Sequence, residues 1–351
     1  MVRFSIEQIK LKEELFNIFA AKQEYCGIKD EHGRFLYKFS SYRNVFEPIV
    51  SQYLVKEGLI SINWPENFKF AACLTHDVDY IFPNLRSTVY YTFKLVKNLK
   101  LIAGLKRFWG GITKSKRLSP YLNFEYIMNL EAKYDAKSTF FFKTATVDYG
   151  SIYEINEIAD ELACIIDRGH EVGLHGGYYS FNDANLLSEE KRRLEKVINE
   201  RVLGVRMHYL RFQVPSTWKL LSKVGFKYDT TFGYPDMPGF RNGMCHPFKP
   251  YDLNEDREID ILEIPLIVMD TTLYGYMNIS PVEAYELIKR LIDITEKYSG
   301  VITILWHNNT FDEVRYGEWS KLYEKILKYL KEKKAWMTSC KEIYSYWMSS
   351  T

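Results

Sequence analysis

Acids, imidazoles and a guanidinium at the ends of apolar runs are the residues of this sequence that could do chemistry. The run Phe70-Ala-Ala-Cys-Leu-Thr-His-Asp-Val-Asp79 ends in two carboxylates spaced two apart. A buried strand finishing there delivers both acids to the rim of a sheet, where a metal ion or a reacting water can sit. Taken alone, an Asp beyond a strand often only caps the next turn. Three later runs repeat the pattern: Gly169-His-Glu-Val-Gly-Leu-His175, Tyr209-Leu-Arg-Phe-Gln-Val-Pro215 and Thr303-Ile-Leu-Trp-His307. Four such sites in one chain point to a single active-site face.

The elements that must position them alternate. Residues 1–65 read as a small, mostly helical N-terminal extension, and 66–351 as one domain. In the latter, strands around Phe70, Ser138–Phe142, Glu171–Leu174, Tyr209, Phe226–Asp229, Ile261–Pro265 and Val301–Trp306 are separated by helical stretches. Ser280 and Pro281 open one of these helices, and Gly169 and Gly225 follow the ends of two others. Repeated alternation of strand and helix predicts parallel strands with helices outside. Residues 233–256, rich in Gly and Pro, read as a loop over the barrel mouth.

Residues 86–117 form a basic insertion, with nine Lys and Arg, no Asp or Glu, and many interleaved apolar and aromatic residues. Two readings stand side by side: an amphipathic helix on an anionic membrane surface, or a solvated helix packed on the barrel.

The chain has 351 residues, 46% of them hydrophobic, and a formal charge of +2. That is enough to bury one large core, and the charge balance excludes a global nucleic-acid binder. Five scattered cysteines without a C-x-x-C indicate neither a disulfide framework nor a zinc knuckle. With an N-terminus unlike a signal peptide, they give a cytoplasmic expectation, at the inner face of the membrane if 86–117 touches it.

In the order of its motifs, the chain from about Phe68 onward resembles the polysaccharide deacetylase superfamily, the NodB-like carbohydrate esterases. The resemblance implies a distorted (β/α)7 barrel and a divergent member. Thr75-His-Asp-Val-Asp79 resembles the first motif, which implies Asp77 as catalytic base and Asp79 as metal ligand. Gly169–His175 is similar to the second, with His175 a ligand; the third implies Arg211 paired with the catalytic carboxylate. Tyr228-Asp-Thr-Thr231 resembles the fourth, with Asp229 orienting the acid catalyst, and Ile304–His307 the fifth, with His307 the general acid. The family's other metal His follows four residues after the first, where this chain has Tyr179. The third ligand is therefore open among His246, His208, Tyr179, Asp183 and water.

Tyr178, Tyr179, Phe212 through its N–H, and Trp306 are the expected substrate contacts, although Trp306 also reads as core. His32 is expected at the surface, and His76 and His170 in packing roles. The implied cofactor is one divalent ion, zinc first among zinc, cobalt, nickel and iron. The implied activity is hydrolytic removal of an N-linked acetyl or formyl group from a nucleotide- or lipid-linked amino sugar in surface polysaccharide synthesis. Two alternatives remain: a degenerate relative that binds a glycan without hydrolysing it, and a glycosyltransferase using Asp77 and Asp79 as its acid pair.

Overall fold

The computed structural model describes residues 4, 6–150 and 152–349; part of the N-terminal segment, residue 151 and the last two residues lie outside them. Among the described residues eleven strands follow one another: β1 (Phe70–Val78), β2 (Thr139–Phe142), β3 (Glu171–Gly176), β4 (Gly204–Met207), β5 (Tyr228–Asp229), β6 (Tyr251–Asp252), β7 (Arg257–Glu258), β8 (Leu262–Glu263), β9 (Leu266–Met269), β10 (Val301–Leu305) and β11 (Ala335–Thr338). The main sheet runs in the order β8-β5-β4-β3-β2-β1-β10-β9, and every pairing in it is parallel. Its two ends, β8 and β9, are separated in the chain only by Ile264 and Pro265, so the sheet curls back on itself as a distorted (β/α)7 barrel. β11 pairs with the first half of β1 and β2 with the second half. β6 and β7 form a separate hairpin.

Strand side chains alternate between faces, and that parity decides what reaches the site. Along β1 the outer set Phe70, Ala72, Leu74 and Val78 joins the core beneath the helices, while Ala71 and Cys73 join the barrel floor. Thr75, Asp77 and Asp79 continue the inner row upward. The same parity turns Gly173 and His175, Gly204 and Arg206, and Thr303 and Leu305 inward. A Cβ at Gly204 would run into the Tyr228 ring, so glycine there lets Tyr228 lie across the floor.

The N-terminal helices share the main core through Ile9, Phe19, Val50 and Leu54. Ser280 caps the Pro281–Lys297 helix with a reciprocal capping box to Glu283, as its sequence predicts. The basic stretch folds as two helices, Leu85–Lys97 and Leu101–Thr113, broken where Leu99 takes a φ of 60°. The 233–256 stretch is largely buried. It reaches from Pro235, whose carbonyl accepts from Thr272 Oγ1, to Cys245, whose carbonyl accepts from the Val301 N–H at the start of β10.

Candidate active site

Asp77, Asp79, His175, His208 and His307 converge at the C-terminal ends of the strands, around a cavity of about 300 Å³. Asp77 is 2% exposed, and its Oδ1 accepts from Arg206 Nη1 at 3.2 Å. Its Oδ2 lies 3.7 Å from His175 Nε2. Arg206 is itself fixed by hydrogen bonds to Thr75 Oγ1, the Thr230 carbonyl and Thr230 Oγ1.

The cluster beside this pair fits a cation. Asp79 Oδ1 is buried and accepts no hydrogen bond. It faces His175 Nε2 at 3.2 Å and His208 Nε2 at 3.3 Å. His175 Nδ1 lies 2.9 Å from the Arg206 carbonyl, which can only accept, so Nδ1 carries a hydrogen, and with one hydrogen on the ring Nε2 presents a lone pair. His208 Nδ1 lies 3.0 Å from Asp148 Oδ2. Burial would raise the Asp148 carboxyl, but His208 and Lys143 outweigh it and hold it at about 2; the two atoms are not aligned as a hydrogen bond, yet an anion at this distance draws the ring hydrogen to Nδ1. Two lone pairs and a carboxylate oxygen then point at one another. They repel unless a cation lies between them, and carboxylate- or carbonyl-supported imidazoles are the usual companions of a bound metal. Burial lowers the His208 pKa, which favours the ligating form.

His307 stands across the cavity, with Nε2 3.7 Å from Asp79 Oδ2. Its Nδ1 lies 2.6 Å from Asp270 Oδ1, and its backbone N–H donates to Asp270 Oδ2, which also accepts from Thr310. Burial would lower the His307 pKa, yet Asp270, with help from Asp79 and Asp77, raises it to about 9.

Several expected residues stand elsewhere. Arg211 does not reach Asp77; it donates to the carbonyls of His32 and Tyr178 and stacks over the Tyr178 and Phe181 rings. The strand expected around Tyr209 lies upstream at Gly204–Met207, and Tyr209 is a turn residue with a φ of 62°. Asp229 points to the outer side of the sheet, where it accepts from Thr231 Oγ1, and burial raises the pKa of both Asp229 and Glu263; Asp270 is the acid on His307. Phe212 packs on Trp218, and Trp306 is fully buried against Tyr323.

Of the candidates for a third ligand, His208 completes the cluster. His246 is buried far below, between Ser51 and the Tyr298 carbonyl, and Asp183 caps the Ala184–Ile198 helix. Tyr179 is 47% exposed against Tyr178. His32 is no free surface residue: Nδ1 meets the Tyr178 hydroxyl at 2.9 Å, and its neighbour Arg34 lines the cavity with Tyr209, Tyr274, Tyr276, Arg315 and Tyr316.

Two of the overlooked residues carried a readable signal. Arg206 and His208 sit two apart at the end of an apolar run, the spacing of Asp77 and Asp79. Asp270 closes Leu266-Ile-Val-Met, again an apolar run ending in an acid. Asp148 lies in a loop that gives no such cue.

Solved structures share this arrangement of strands. A polysaccharide deacetylase from Mycobacterium smegmatis superposes with a TM-score of 0.55 at 18% identity, over 82% of this chain and 93% of its own. The chain has the polysaccharide deacetylase fold. A PuuE allantoinase (TM-score 0.55, 15% identity, 92% of this chain and 99% of the other) and a polysaccharide deacetylase from Pseudomonas aeruginosa PAO1 (0.54, 14%, 90% and 98%) have the same fold. No protein-family profile matches the sequence, and no curated protein matches it. On this fold the chain sets its polar groups at the carboxyl ends of the strands.

Proposed function

We propose that the protein is a metal-dependent carbohydrate N-deacylase, which hydrolyses an N-linked acetyl or formyl group from an amino sugar. The observation that carries this reading is the opposition of two supported groups, Arg206–Asp77 and Asp270–His307, on either side of the Asp79–His175–His208 cluster.

Bound at that cluster, a divalent cation supplies Lewis acidity toward an acyl carbonyl and toward water, and zinc suits the one-carboxylate, two-imidazole donor set. The chain's own residues divide the remaining work. Arg206 fixes Asp77 through Oδ1, leaving Oδ2 to take a proton from the attacking water. His307, held by Asp270 through Nδ1, keeps Nε2 toward the cavity and gives its proton to the departing amine. Water adds its oxygen to the acyl carbon, the C–N bond breaks, and the products are a carboxylate and a free amino sugar. Tyr209, Tyr274 and Tyr276 offer flat faces and hydroxyls to a sugar ring.

The substrate in this reading is a nucleotide- or lipid-linked precursor of a surface polysaccharide, met in the cytoplasm at the inner face of the membrane. Five free thiols support a reducing compartment.

The test is release of acetate or formate by the zinc-loaded enzyme from N-acetylated and N-formylated amino sugars, offered free and nucleotide-linked. Asp77→Asn is expected to lower turnover roughly 10²- to 10⁴-fold while retaining metal. A wild-type enzyme that loads zinc and binds a glycan, yet releases no acyl group from any member of the panel, would overturn the reading.

A further inference from the structure

The Leu85–Thr113 helical hairpin has no part in the chemistry above, and its surface is unlike the rest of the molecule. Twelve of the 22 large hydrophobic side chains exposed among the described residues lie between Leu85 and Ile112. On each helix they gather on one side. Residues 85, 89, 93 and 96 share a face of the first helix, and 101, 105, 108 and 112 a face of the second, the i, i+3, i+4 spacing of an amphipathic stripe.

That stripe is turned outward because the opposite side is already committed. Leu95 of the first helix faces Gly104 of the second, Arg107 lies over the Tyr91 ring, and a Cβ at Gly111 would run into Thr88. The hairpin is also clamped to the barrel. Arg107 makes a buried two-pronged ion pair with Asp312 at 2.7 and 2.9 Å, and Lys94 donates to the Val314 carbonyl. Its apolar face is thus held rigid in solvent.

Charge selects what covers it. No Asp or Glu occurs from Tyr80 through Phe124, a stretch carrying nine Lys and Arg. Arg107 and Lys116 have acidic partners in Asp312 and Glu161. Arg86, Lys97, Lys100, Lys106, Lys114 and Arg117 form no ion pair among the described residues. Two copies meeting through this face would set cation against cation, whereas an anionic surface with an apolar interior satisfies both the stripe and its flanks. Tyr90, Phe93 and Trp109 add the side chains favoured at a lipid–water boundary. Among the described residues no helix is long and apolar enough to cross a membrane.

We infer that the hairpin docks the protein on an anionic lipid bilayer, with its apolar face among the acyl chains and its lysines at the headgroups. The Asp312–Tyr316 segment that anchors the hairpin also supplies Arg315 and Tyr316 to the cavity wall. Docking therefore brings the rim of the site to the headgroup layer, where an amino sugar carried on a lipid is presented; this last step rests on the deacylase reading.

The test is flotation of the full-length protein with phosphatidylcholine vesicles, with and without phosphatidylglycerol. Binding is expected only to the anionic vesicles and weakens as salt rises. A Lys97→Gln, Lys100→Gln, Lys106→Gln variant is expected to partition about 100-fold less, from the contribution of each cation near a charged surface. Phe93→Ser with Ile102→Ser and Leu105→Ser is expected to lose binding at an unchanged unfolding midpoint. No flotation at low salt would overturn the proposal. So would a dimer in vesicle-free solution that the serine variant dissolves, since a second copy would then cover the face. Asp77→Asn is expected to float like wild type. The serine variant is expected to deacylate a soluble N-acetylglucosamine oligomer but not the same sugar on a lipid anchor in the vesicle. If wild type deacylates neither yet floats, docking stands and the deacylase reading falls.

Discussion

Two clusters in this barrel are built from the same parts, a carboxylate and two imidazoles, and they differ in where the hydrogens go. In the cluster behind β1, every oxygen of Glu131 receives a donor. Tyr323 and His76 approach Oε1 at 2.6 and 3.0 Å, and the Ser138 hydroxyl approaches Oε2 at 2.8 Å. His76 donates its other hydrogen to the Trp306 carbonyl, and His170 Nδ1 accepts from the Ser138 N–H. Nothing there is left for a cation to satisfy. In front of the same strand, Asp79 Oδ1 receives no hydrogen and meets two ring nitrogens, one from a ring bonded on its far side to the Arg206 carbonyl and one from a ring whose far nitrogen lies 3.0 Å from the Asp148 carboxylate. The residue types are alike, and the groups that hold the rings from behind leave one cluster fully satisfied and the other with the donor set that could hold a cation.

The sharpest way to break this contrast is to remove one imidazole from each side. His208→Ala is expected to lower metal affinity by more than the roughly 100-fold that loss of a supporting partner brings, and to abolish acyl release. His76→Ala is expected to leave metal content unchanged. Metal analysis of both proteins, purified without chelator, decides the matter. Retention of metal by the His208 variant, or its loss from the His76 variant, would erase the distinction.

A smaller effect is expected at Glu131. Replacing it with Gln leaves His76 facing an amide inside the core, and breaking a buried pair of this kind costs about 3 kcal/mol. The urea midpoint is expected to fall accordingly, with metal binding and catalysis per folded molecule intact. An unchanged midpoint would mean that the hydrogen bonds around Glu131 contribute no net stability.

How far the sequence could anticipate these clusters follows from parity. Asp77 and His76 are neighbours in one strand, and period-two alternation sends one inward and the other to the helices. That assignment needs the strand's register, which β1 supplies through its long apolar run. Gly204–Met207 is only four residues long, and the stronger local cue, Tyr209-Leu-Arg-Phe, drew the expected strand downstream. A shift of that size exchanges Arg206 for Arg211, and with it the residue that holds Asp77. Asp229 failed for the same reason: Thr230, one residue on, is the group that bonds Arg206, while Asp229 faces outward to Glu263. The pairing of Asp270 with His307 depends on β9 lying beside β10, a contact between distant segments that no local pattern encodes.

The finest test of the contrast is how stability responds to pH. Burial drives the His170 pKa down to about 4, with Lys137 assisting and Glu131 opposing. The folded state therefore keeps this ring neutral where the unfolded chain, titrating near 6.5, takes up a proton. Between those values the unfolded state binds more protons, so stability falls as the pH drops from about 6.5 toward 4 and levels off below. His246, also lowered to about 4 by burial, contributes a similar slope from a different part of the core. His170→Asn keeps an acceptor for the Ser138 N–H but cannot titrate. Its urea-derived stability is expected to fall less steeply across that window than wild type, by the share of one proton, with the His246 share remaining. Parallel slopes for the two proteins would show that His170 is protonated in the folded state as well. The ring nitrogen that accepts from the Ser138 N–H would then carry a hydrogen of its own, and full satisfaction of its hydrogen bonds would no longer separate the Glu131 cluster from the Asp79 side of β1.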